Sequence, residues 1–246
     1  ATVLSCITIE GESALNLVSS ELDTSCVTQG TGTLQATSST VGGKVLCDLI
    51  TSKTVLFKNN SFVSKIISTQ SDLIGEGETT YVTFGTVLTD NVLFNNLNIS
   101  VEKTASLKAL VNCNNTSIKF ETDSTVVLSD ASMRCIDGDC HLKNNGNFQT
   151  IGNTAFDGIY LLLVQQLAVT GTLFFQSSFG SGEIVLLDNS QVVMESFKSN
   201  GNVSITGPGT LLCLECQLNG NLYSVNVVLN SSRSVLTIES TLILDG

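Results

Sequence analysis

The chain has 246 residues, of which 42% are hydrophobic and only 13% charged, with a formal net charge of -11 at pH 7. Its 11 Lys and Arg are scattered, whereas nucleic acid and anionic membrane surfaces demand clustered cations, so neither is expected as a partner. Ser, Thr, Asn and Gly take the place of charge, and Val, Ile, Leu and Phe dominate the apolar positions, which suits pleated strands better than helices.

In chain order, the first signal is Cys6, Cys26 and Cys47, separated by 20 and 21 residues. Gly32–Leu34 is the first copy of Gly-Thr-Leu, which returns at Gly171–Leu173 and Gly209–Leu211, the last two 38 residues apart. Cys113 and Cys135 lie 22 apart, and Ser-x-Val-Val occurs at Ser124 and Ser190, 66 apart. Asn-Gly-Asn followed by an apolar residue occurs at Asn145–Phe148, Asn200–Val203 and Asn219–Leu222, at offsets of 55 and 19. These families share a step of 19–22 residues, and fixed periodicity of this kind marks a repeat architecture. Each step holds short β-type runs broken by turn residues, such as Glu183–Leu187, Gln191–Met194 and Val203–Ile205. Three strands of about 4–6 residues with their turns fill one coil of a parallel β-helix. The expected fold is therefore all-β: a single-stranded parallel β-helix of about eleven coils, one solenoid unit over 1–246 within a longer chain or array. A leucine-rich repeat lacks its spaced-Leu consensus here, and an antiparallel sandwich predicts no such phrase repetition.

The longest apolar run, Gly158–Val164, is far shorter than the roughly 18 residues of a membrane span. The start at Ala1, without Met or a basic, apolar leader, is that of a processed secretory chain or of a piece of a longer one. The strand-like close Thr241–Gly246 leads to the expectation of further sequence.

Eight cysteines in an acidic, Ser/Thr-rich chain favour an oxidising compartment and a secreted or cell-surface location. Coils lie about 4.8 Å apart, within the Cα separations a disulfide accepts. The spacing thus predicts a Cys113–Cys135 bridge and one bridge within the Cys6, Cys26 and Cys47 column, with Cys6–Cys26 foremost, and packed thiols as the alternative. Cys47, Cys140, Cys213 and Cys216 stay unassigned, although Cys213-x-x-Cys216 reads as a structural pair, since no second ligand pair for zinc accompanies it. Sequons at Asn59, Asn98, Asn114, Asn115, Asn202 and Asn230 permit N-glycosylation.

Gly42–Asn60, Gly85–Asn96 and Gly180–Asn200 each join a Gly turn and an apolar strand to a Phe-Asn ending. This resembles the GGA[ILV] and FxxN repeats of polymorphic outer-membrane-type surface proteins, with Lys44 where that family prefers Ala. The resemblance implies a parallel β-helix passenger region and a role in adhesion. In such a coil Phe57 and Phe197 fill the interior while Asn60 and Asn200 occupy turns.

No catalytic constellation emerges and no cofactor is expected. His141 is the single histidine, no Arg-x-Lys follows it, and neither Asp137 with Asp139 nor Glu76 with Glu78 completes a calcium loop, leaving Asp137 and Asp139 as weak calcium candidates. The pairs Thr31/Thr33 and Thr170/Thr172 do not recur coil after coil, as an ice-binding face requires. The leading expectation is an extracellular structural or adhesive rod or filament subunit that associates end to end or side by side, with glycans as further partners. The alternative is a carbohydrate-binding or polysaccharide-cleaving β-helix acting through Asp137, Asp139 and His141.

Overall fold

The structure, a computed structural model, describes residues 3–77, 80–229 and 235–238, with side chains over 7–77 and 80–219. Among the described residues the structure is all-β, 82% strand without helix, and its parallel strands stack as a β-solenoid of about 11 turns.

One coil shows the construction. Leu97–Val101, Thr104–Leu107 and Leu110–Asn114 lie parallel on the segments of Thr80–Asn95 beneath them, and a register shift separates each from the next. These are the first, second and third faces, joined by corners. Within a face, alternate residues point inward, as a pleated strand requires: Leu97, Ile99 and Val101 are buried, while Asn98 and Ser100 are only half-buried. The next coil repeats the order, with Thr125–Ser129 on the second face and Ala131–Cys135 on the third.

Parallel in-register pairing turns that alternation into columns along the axis. On the second face, Leu34, Leu49, Ile66, Val87, Ala105, Val126, Phe148, Leu167, Ile184 and Ile205 succeed one another as register partners, and all are buried. A chain of rings crosses this column at Phe148: Phe120, Phe148, Phe156, Phe175 and Phe197 follow at centroid separations of 5.8, 6.4, 5.5 and 5.2 Å. Phe57 and Phe197 are interior, and Asn60 stands at a turn with φ 60°.

The coil length is not constant. Thr33 pairs with Asp48, 15 residues on, whereas Thr116 pairs with Cys140, 24 residues on, because corners absorb or shed residues. The expected step of 19–22 is thus the centre of a wider range. Thr172 pairs with Gln191 and Gln191 with Thr210, so these two Gly-Thr-Leu copies do lie two coils apart. The Ser-x-Val-Val pair is different: Ser124 precedes the second face and Ser190 the third, so the two phrases occupy different corners.

Phe175 is buried and packs between Phe156 and Phe197. Phe175→Ala is expected to destabilise the fold by about 3–5 kcal/mol, read as a lower urea midpoint by circular dichroism.

Candidate functional site

The corner from the third face to the first concentrates the distinctive chemistry of the chain. It turns on one residue in the left-handed region: Asn96 (φ 54°), Asn115 (43°), Ser177 (47°), Ser196 (53°) and Glu215 (58°), with Gly158 (66°) in the same role. Asn tolerates this region because its short amide bonds locally, and Asn115 Nδ2 donates to Asn96 Oδ1 at 3.2 Å across adjacent coils.

The residue after the corner turns inward. Where it is Ser or Thr, a buried hydroxyl reaches back to carbonyls at the strand end. Thr116 Oγ1 stands 3.1 Å from Phe94 O and 2.8 Å from Asn114 O, and Ser178 Oγ stands 3.1 Å from Phe156 O and 2.9 Å from Gln176 O. Backbone groups at a bend must find partners, and these side chains supply them.

Two disulfides among the described residues span this same corner. Cys135–Cys140 ties the neck of the exposed loop at residues 136–139, and Cys213–Cys216 closes the bend at Leu214 and Glu215. Loops this short gain only about 2 kcal/mol from loop closure, so the bridges act mainly on local corner shape.

Both expected bridges require correction. Cys113 and Cys135 are register partners, yet Cys135 is bonded to Cys140 and Cys113 is a free thiol. The 24-residue step brings Cys140 back across the corner to a Cα separation of 5.6 Å from Cys135, so a sequence neighbour competes with the coil neighbour. Burial pushes the Cys113 thiol up to about 12. Cys6 pairs in register with Val27, and its side chain lies outside the described residues, while Cys26 is a free buried thiol level with Gly43. Cys47 is likewise free, and burial pushes its thiol up. Equal spacing in sequence gives unequal phase on coils of unequal length.

The remaining candidates scatter. Asn59, Asn115 and Asn202 are exposed at corners, Asn98 and Asn114 are half-buried within faces, and Asn230 lies outside the described residues. Asp137 and Asp139 stand exposed in the loop, and Asp137 Oδ1 accepts from Gly138 N at 2.8 Å. Glu76 is exposed, and Glu78 lies outside the described residues. Among the described residues no group of three or more His, Cys, Asp or Glu is placed to hold a metal ion. Among the described residues, open clefts include one of about 530 Å³ lined by residues including Asn147, Gln149, Gln165 and Gln166, and another of about 510 Å³ lined by residues including Lys53, Gln70 and Asn112.

The sequence reading passed over one feature. His141, Tyr160 and Phe179 are register partners on three successive coils of the first face, stacked outside the core at centroid separations of 4.9 and 4.8 Å. Their constant spacing of 19 residues is the same step that the repeated phrases carry. No protein-family model, curated protein or solved structure matches the chain.

Removing the Ser178 hydroxyl leaves corner groups unpaired, so Ser178→Ala is expected to cost about 1–3 kcal/mol, measured by urea unfolding against wild type. On the same rod, Lys119 and then Ser100 hold the Glu121 carboxyl below its ordinary value of 4.5. A lowered carboxylate contributes stability at neutral pH that is lost as pH falls through its folded value. Glu121→Gln is therefore expected to flatten the fall in unfolding free energy below about pH 5, by at most about 0.5 kcal/mol for so exposed a pair, measured by urea titrations at pH 7 and pH 4.

Proposed function

We propose that this chain is a stiff extracellular structural or adhesive element, a rod or filament subunit whose sides are its working surface. The observation that carries this reading is the unbroken succession of parallel pairings, from Val3 on Glu21 to Gly220 on Ile238. About eleven coils at about 4.8 Å give a rod of about 50 Å. Its hydroxyl-closed and disulfide-closed corners suit a load-bearing shaft in an oxidising setting. The likeness of Gly42–Asn60 and Gly180–Asn200 to the repeats of polymorphic outer-membrane-type proteins supports the same reading. Neutral polar outer positions and exposed sequons at Asn59, Asn115 and Asn202 fit a glycan-bearing surface.

A carbohydrate-binding role is the second reading, favoured by the outward ladder of His141, Tyr160 and Phe179 that begins beside Asp137 and Asp139.

Negative-stain imaging over a concentration series separates the two. The rod reading expects particles with a long axis of about 50 Å that join into uniform fibres as concentration rises. Monodisperse monomers that bind or cleave acidic polysaccharide, with weaker binding in Tyr160→Ala, would reject it in favour of the second.

A further inference from the structure

We propose that Cys113, Cys135 and Cys140 form a thiol–disulfide exchange site, in which the bridge on Cys135 passes between Cys140 across the corner and Cys113 on the adjacent coil.

Three observations meet at this point. Cys113 and Cys135 are register partners on neighbouring parallel strands, so their Cα atoms lie at about the 4.8 Å strand spacing, within disulfide range. Cys135 is already in a disulfide, with Cys140 at a Cα separation of 5.6 Å. Cys113 is a free thiol. A thiol beside a disulfide is the reactant pair of exchange, and the reaction needs no net oxidant.

A low-molecular-weight thiolate such as glutathione attacks the half-buried Cys135 sulfur. The Cys135–Cys140 bond breaks, and Cys140 leaves as a thiolate that takes up a proton. The Cys113 thiol gives its proton to solvent, attacks Cys135 in the mixed disulfide and expels glutathione. One disulfide and one protein thiol exist before and after. Burial holds Cys113 protonated, which makes the second step slow at neutral pH and faster as pH rises. Exchange releases the neck of the loop at residues 136–139, which carries Asp137 and Asp139, and clamps two coils together instead.

The molecule contains its own control. Cys213, bridged to Cys216, has Met194 and Leu229 as register partners, so among the described residues no thiol stands level with Cys213.

The full chain is incubated in a glutathione redox buffer at pH 8, quenched with acid, alkylated and mapped by mass spectrometry. The expected result is a Cys113–Cys135 linked peptide with alkylated Cys140, while Cys213–Cys216 stays intact. Cys140→Ser is expected to carry the Cys113–Cys135 bridge in most chains. Alkylation of Cys135 and Cys140 together without any Cys113–Cys135 peptide overturns the proposal, as does a folded Cys140→Ser chain whose Cys135 is held only as a glutathione adduct. Should that variant not fold, the wild-type measurement decides alone.

Discussion

The structure depends on in-register stacking of like side chains at the strand spacing. A parallel ladder places each residue directly over its partner, so every coil presents its inward side chains to the inward side chains of the next. That constraint forces the core into columns, such as the ten apolar residues from Leu34 to Ile205 and the rings from Phe120 to Phe197. It also means that a coil buries its apolar face only between two neighbours, so stability grows along the axis by nearest-neighbour contacts. The same rule works outside the core, where His141, Tyr160 and Phe179 stack because their backbones do.

Stacking also explains what the sequence displays and what it conceals. Faces have a fixed inside and outside, so apolar alternation and recurring phrases survive in the sequence, and the coil architecture is legible from Gly171–Leu173 and Gly209–Leu211. Corners have no such constraint. They vary in length, so a count of residues loses phase with the count of strand positions. Cys6, Cys26 and Cys47 look like a column by spacing, yet Cys6 is level with Val27 and Cys26 with Gly43. Ser124 and Ser190 share a phrase because both are buried corner hydroxyls, not because they stack. Cys113 and Cys135 do stack, but a pairing choice between Cys113 and Cys140 turns on the path of the loop at residues 136–139, which spacing does not encode. The aromatic ladder was legible at a 19-residue step; its three residues differ in type, so identity matching overlooks them.

The candidate site follows from the same division between faces and corners. A face is committed to the ladder and the core, and its outward positions supply only a flat surface. Left-handed residues turn more than one corner, but the exposed loop at residues 136–139 and both described disulfides lie at the third-to-first corner. Chemistry in a solenoid is placed at such corners because loops can vary without disturbing the ladder.

The corners are also unequal in strength. The third-to-first corner is stitched by the hydroxyls of Thr116 and Ser178 and by two disulfides. The second-to-third corner is mixed: Ser190 Oγ stands 2.9 Å from Val169 O, while Thr51, Ser68 and Thr89 are register partners on three coils, all buried. The hydroxyls of Ser68, Ser71, Thr89, Thr150 and Thr154, all at this corner, have no protein partner. Each such group weakens the fold by about 1–3 kcal/mol relative to a paired one. Local opening is therefore expected to be easiest where these unpaired hydroxyls cluster, away from the two disulfides.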